Sequence, residues 1–144
     1  MRTHLDEGKK NRIVLTLESD LKSVEIVETT AEAFARDAGF DEDTTSNISM
    51  VSREAAVNAV LHGNKRDASK HVIAVFEITP EQLRISIADE GEGVNPDAIP
   101  DPLAPENVLR PSGRGVFLMR AYMDEVHFRQ LTPGMEITMV KRRV

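Results

Sequence analysis

The sequence predicts an α+β fold, a two-layer sandwich in which helices cover one face of a mainly antiparallel sheet. Three observations lead there. Five short runs read as strands, and three longer ones carry apolar residues at helical spacing. Their order along the chain is strand, two helices, two strands, helix, two strands. A proline-rich stretch precedes the last helix, where a loop and not a structural element is expected.

After a polar start, Met1 to Lys10, the segment Asn11 to Ser19 alternates Ile13, Leu15 and Leu17 with polar neighbours, as a half-buried strand does. Ser19 or Asp20 offers an N-cap for a helix carrying Leu21, Val24, Val27, Ala31, Phe34 and Ala35, which Gly39 ends. A second helix begins near Asp43 or Thr44, buries Ile48, Val51 and Ala55, and runs to about His62, with Gly63 as its C′ residue. His71 to Thr79 and Gln82 to Asp89 flank Pro80-Glu81 and predict an antiparallel hairpin. The first of these is apolar on both faces, as in a central strand.

Five of the seven prolines fall between Glu90 and Ser112, so this stretch predicts a long loop, with room for one short helical turn. Loops of that length are uncommon in compact domains and often serve as lids or binding loops. Gly113 to Asp124 reads as a third helix, followed by Val126 to Gln130, a turn at Thr132-Pro133-Gly134, and a last strand from Met135 to Val140. No internal repeat or linker interrupts the 144 residues, and one domain spanning 1–144 is expected.

Composition excludes several classes. Eighteen basic against 24 acidic residues leave a net charge of −6, against the basic face a nucleic-acid-coating protein needs. Without cysteine there is no disulfide, thiolate zinc site or thiol nucleophile. No apolar run reaches the roughly 18–20 residues of a membrane span, and the N-terminus lacks a signal-peptide core. A cytoplasmic location is expected.

Three clusters could carry chemistry. Glu54, Asn58 and His62 are spaced i, i+4, i+8 and project from nearly the same face of an Ala- and Val-rich helix. An Asn oxygen there could complete a Mg²⁺ shell, and a carboxylate one turn away could take a proton from an attacking hydroxyl. A solvated helix face accounts for the same spacing. Asp89-Glu90-Gly91-Glu92-Gly93 follows a strand, where glycines let the backbone approach a flat or charged ligand and the carboxylate could accept from an exocyclic amine. An ordinary turn explains it equally. Ser112-Gly113-Arg114-Gly115 feeds a helix N-terminus, where free N–H groups with Arg110 and Arg114 suit an anion. A glycine-rich helix entry with solvated arginines is the plainer alternative. Gly134 reads as simple turn chemistry.

Glu-x-x-x-Asn on a helix, then Asp-x-Gly-x-Gly, a lid, and Gly-x-Gly opening a helix together resemble the GHKL ATP-binding proteins. Within them, the run Gly113 to Arg120 with Met123-Asp124-Glu125-Val126 is similar to the anti-sigma-factor serine kinases of the RsbW type. The likeness extends from the Ile13 strand to Val140. It implies the GHKL (Bergerat) sandwich and binding of ATP with Mg²⁺. Asn58 would chelate the metal, Glu54 would act as general base on a substrate serine, and Asp89 would bind the adenine amine, with Gly91 and Gly93 shaping that wall. Gly113, Arg114 and Gly115 would close over the phosphates, residues 92–112 would form the ATP lid, and Arg110 could reach the γ-phosphate. His62 and Asn64 fall where the family carries a similar helix ending and read as support, not catalysis. The resemblance also implies a STAS-domain anti-anti-sigma partner as substrate, a sigma factor as second partner, and a homodimer. One departure stands out: the family often has Gly-Thr in the last box, where this chain has Gly134-Met135. The alternative is a nucleotide-dependent module that sequesters its partner and transfers little phosphate.

Overall fold

The computed structural model describes residues 2–5, 11–91 and 111–143. Six strands form one sheet in the order β1-β2-β3-β4-β6-β5, and every neighbouring pair is antiparallel. They are β1 (Arg2–Leu5), β2 (Arg12–Glu18), β3 (His71–Ile78), β4 (Gln82–Ala88), β5 (Glu125–Gln130) and β6 (Met135–Arg142). The register lines apolar residues across the strands. One row runs Leu15, Ala74, Ile87, Ile137, Phe128, and the next runs Ile13, Phe76, Ile85, Met139, Val126. Because strand side chains alternate, both rows lie on the face that carries the helices. Phe76 is fully buried there, its ring 5.5 Å from that of Phe34. The opposite face is studded with charge, including Arg12 beside Glu77 and Arg129 beside Glu136.

Helix α1 (Leu21–Asp37) starts at Asp20, whose carboxylate accepts from the Ser23 N–H at 3.1 Å, and stops where Gly39 turns left-handed at φ +92°. Helix α2 (Glu42–Val57) starts at Asp41, which accepts from the Thr44 N–H at 2.8 Å. Its buried stripe is built from small residues, Ser49, Ser52, Ala55 and Ala56 among them. Small side chains let a helix lie close to its neighbours, and α2 packs between α1 and α3 (Pro111–Tyr122). As expected from sequence, the fold is an α+β sandwich with an antiparallel sheet.

Four details differ from the sequence reading. The polar start contains a strand: β1 pairs with β2 from Arg2 opposite Thr16 to Leu5 opposite Ile13. Four residues are too few for a period of two to register. Helix α2 does not run regularly to His62 but passes at Asn58–Gly63 into a wide π-helical turn, where the Asn64 N–H bonds back five residues to Ala59 O. Gly63 is therefore not a left-handed C′ glycine; the left-handed residues are Lys65 and Arg66. Finally, α3 opens at Pro111, two residues before Gly113, because proline's fixed φ suits the first helical position. Gly93, Arg110 and most of the expected 92–112 lid lie outside the described residues.

Truncating Phe76 to Ala should lower unfolding stability by about 3–5 kcal/mol, the cost of emptying a fully packed aromatic site. Urea unfolding of the variant measures it.

Candidate functional site

The register of the sheet carries the helix-facing row one step past β4. Asp89 there bonds to the first residue of β6, its N–H donating to Met135 O at 2.9 Å. Its side chain is thus at the rim of the core, only 9% exposed. Oδ1 accepts from the Gly91 N–H at 3.0 Å and from the Met135 N–H at 3.2 Å. Oδ2 takes no hydrogen bond from any described residue, yet it is not sealed from solvent. Burial pushes the Asp89 carboxyl above its ordinary range, and the two backbone donors pull against that shift. The result is one fixed oxygen and one open acceptor.

Glycines from three segments make room for this carboxylate. A methyl group built on Gly63 would overlap Asp89 Oδ2 and Cγ, one on Gly134 would overlap Asp89 O, and one on Gly91 would overlap Gly63 O. Gly134 also needs its freedom of φ, at +106°. It is more than turn chemistry, since the hairpin between β5 and β6 rests on the backbone of Asp89.

Asn64, 1% exposed, binds the same corner together. Its Nδ2 donates to Ser19 Oγ at 2.8 Å and to His71 O at 2.9 Å, while its Oδ1 accepts from the Glu90 N–H at 2.7 Å. The end of β2, the start of β3 and the exit of β4 are all held to the end of the wide turn by one amide. Glu90 adds a second tie, accepting from the His71 N–H and lying 3.4 Å from His71 Nδ1.

Where α2 passes into the π-helical turn, Glu54 and Asn58 are half-buried beneath α3. A Cβ at Gly115 would stand 3.2 Å from Glu54 Oε2 and 3.6 Å from Asn58 Nδ2, so the absence of a side chain lets α3 lie directly on the pair. His62 is exposed, and the shared polar face of the helix ends with Asn58. Arg114 is exposed on α3. The structure thus brings Glu54, Asn58 and Gly115 together at one end of the site and Asp89, Gly91 and Gly63 at the other. Helix α2 with its wide turn spans the two. Gly63 read only as a helix end, and Gly134-Met135 only as the family's last box at a turn, because their contacts with Asp89 join positions 26, 45 and 46 residues apart.

Chemically, the corner offers an open carboxylate oxygen for an amine donor at Asp89. Helix α3 offers its N-terminal end, laid by Gly115 directly on Glu54 and Asn58. Among the described residues no group of three or more His, Asp or Glu gathers to hold a metal, so a cation at Asn58 would take most of its ligands from a bound anion and water. None of the described helices is long and apolar enough to cross a membrane.

Residues 17–141 match the family model of the histidine kinase-like ATPase domain. The serine-protein kinase RsbW of Staphylococcus epidermidis is 30% identical over 142 residues, covering 94% of this chain and 89% of that one. That of Bacillus licheniformis is 31% identical over 128 residues, covering 82% and 77%. Among solved structures, the RsbU and RsbW domains of a Mycobacterium tuberculosis protein superpose with a TM-score of 0.66 at 16% identity, over 91% of this chain and 32% of that larger one. The catalytic domain of the histidine kinase ThkA gives 0.59 at 13% identity, over 90% of this chain and 97% of its own.

Asp89→Asn removes a buried charge while leaving an oxygen for the two backbone donors, so it should fold at pH 7 with stability equal to or above the parent. A folded carboxyl with a raised pKa binds its proton before the unfolded chain does, so its contribution to stability grows as pH falls. The advantage of the Asn variant should therefore shrink as pH falls from neutral into the ordinary carboxylate range. Urea unfolding of both proteins at neutral pH and at the bottom of that range tests the sign.

Proposed function

The chain belongs to the histidine kinase-like ATPase domain family, and on that premise we propose that it is an ATP-dependent serine-protein kinase that doubles as an anti-sigma factor. Its substrate in this reading is a serine of a STAS-domain anti-anti-sigma partner, its other partner a sigma factor. It acts as a cytoplasmic homodimer. The observation that carries the proposal is the convergence on one helix: Glu54 and Asn58 meet Gly115 of α3, and the same helix ends with Gly63 against Asp89.

ATP spans these two ends. Asp89 Oδ2, the open acceptor, takes the exocyclic amine of adenine, and the Asn64 and Glu90 ties hold the wall in place. Helix α3, with Gly113, Arg114 and Gly115, sets its N-terminal end toward the phosphates, a role the family likeness shares with Arg110 and residues 92–112. Asn58 would supply an amide oxygen to a Mg²⁺ ion, which would offset the charge of the transferring phosphate. Glu54 accepts the proton of the incoming serine hydroxyl. Phosphoryl transfer needs chiefly such positioning and charge neutralisation. The phosphoserine then places about two negative charges at the partner interface and weakens it.

A second reading, a nucleotide-dependent binding module with little transfer, is favoured by Met135. The residue meets Asp89 with its backbone N–H and O, where a hydroxyl side chain is common in the family. Retention of Glu54 favours the kinase.

Calorimetry with Mg-ATP, followed by transfer of labelled phosphate to a STAS-domain protein, tests the two together. Asn58→Ala should abolish the Mg²⁺-dependent part of ATP affinity, and unchanged affinity removes the metal role. Glu54→Ala should bind ATP normally and lose about 10²–10⁴-fold in transfer rate, the range for a general base. Asp89→Asn should lose about 10–100-fold in ATP affinity, the worth of a hydrogen bond to a charged group. Saturable ATP binding without any phosphoserine would select the binding module.

A further inference from the structure

We infer that Gly63, acting with the Gly134 turn, is a specificity-determining positioning residue: it aims the Asp89 carboxylate so that the site selects 6-amino over 6-oxo purine nucleotides. The inference rests on the nucleotide reading above and deepens it, because it assigns the selection to a residue at the end of a helix on the far side of the carboxylate.

Backbone conformation does not account for Gly63. Its φ is not in the left-handed region, so the backbone has no conformational need of glycine. It closes a helical turn, where glycine is a poorer choice than alanine. Space is the remaining reason. A Cβ would collide with Asp89 Oδ2 and Cγ, whereas at Gly91 and Gly134 it would collide with main-chain carbonyls. The three collisions have different consequences. Main chain cannot give way without moving a strand end or a turn. A carboxylate can rotate, and doing so takes Oδ1 out of line with the Gly91 and Met135 N–H groups.

The wide turn delivers Gly63 to this place. Its Asn64-to-Ala59 bond closes a longer ring than an α-helical bond, setting Gly63 against Asp89 while Asn58 remains beneath α3. Asp89 is then fixed on one oxygen by two donors and backed on the other by a surface without a side chain. Oδ2 keeps a single orientation, ready to accept from an N–H. A 6-oxo group offers only a lone pair to that oxygen and meets it with repulsion.

The test compares affinities of Mg-ATP and Mg-ITP, nucleotides that differ in the amine and the carbonyl at position 6 and the protonation beside it. The proteins are the full chain, Gly63→Ala, and Gly39→Ala. The last strains a left-handed glycine that has nothing within 4 Å of its would-be Cβ, and it controls for general destabilisation. The parent should prefer ATP at least tenfold. Gly63→Ala should lose ATP affinity at least tenfold with ITP affinity unchanged, while Gly39→Ala keeps the parent ratio. A folded Gly63→Ala protein with the parent ratio overturns the inference and leaves the ATP reading standing. A parent that binds neither nucleotide, or both equally, overturns the adenine reading itself. In the parent protein, ATP should shift the amide resonances of Gly63, Gly91 and Met135 and ITP should not. Equal shifts from both nucleotides overturn the inference even if the variant does not fold.

Discussion

The site depends on the closeness of three main-chain segments around one carboxylate. Asp89 is at the end of β4, Gly63 at the end of the wide turn, and Gly134 in the hairpin before β6, and both glycines are so near Asp89 that a single methyl group on either would force it away. Such closeness has two costs, an ionised group largely out of water and glycines where other residues would be stiffer. The first is offset by two backbone donors and by leaving one oxygen open, the second by the Asn64 amide and the packing of the strands. The remaining geometry follows from this corner. With Gly63 fixed against Asp89, the direction of α2 is set, and with it the distance from Asp89 to Glu54 and Asn58.

The sheet supplies the other fixed reference. Its two apolar rows cross five strands without a break, so neither β4 nor β6 can slip by one residue without turning a whole row to the charged face. Asp89 continues the same side-chain alternation by two residues beyond Ile87. The register that packs Ile85 and Ile87 against the helices therefore also delivers the carboxylate to the rim of the core. Small residues on α2 and Gly115 on α3 complete the arrangement by letting the helices lie close.

Much of this was legible in the chain itself. Alternation at Ile13, Leu15 and Leu17 and at Leu83, Ile85 and Ile87 announced strands, Asp20 and Gly39 bracketed the first helix, and the start near Asp43 or Thr44 fell one or two residues inside the second. Glu54 and Asn58 could be placed on one face because i and i+4 always are. What the chain hid was contact between distant segments. Gly63 looked like a helix stop because glycine commonly is one, and only the position of Asp89 reveals its use. Gly134 looked like a turn for the same reason. The wide turn left no signature in Asn58-Ala59-Val60-Leu61-His62, which reads as ordinary helix. Strand β1 was too short to show a period, and its pairing is set by the free edge of β2. The likeness to the RsbW kinases implied that the clusters belong to one site, but spacing alone gave no view of how they meet.

Asn64 has a consequence for how the molecule assembles and breathes. Its side chain closes one loop of 45 residues to Ser19 and one of 26 to Glu90, and neither bond rewards the chain until both ends have arrived. The helices and the β3–β4 hairpin can form from neighbours alone; this corner cannot. It is therefore among the last parts to close during folding and among the first to open in the native protein. The amides of Glu90 and Gly91 should exchange with solvent through such openings, independently of the amides in the middle of β3 and β4. A ligand that rests on Asp89 holds the corner shut, so occupancy of the site and slow exchange at its edge are two views of one equilibrium.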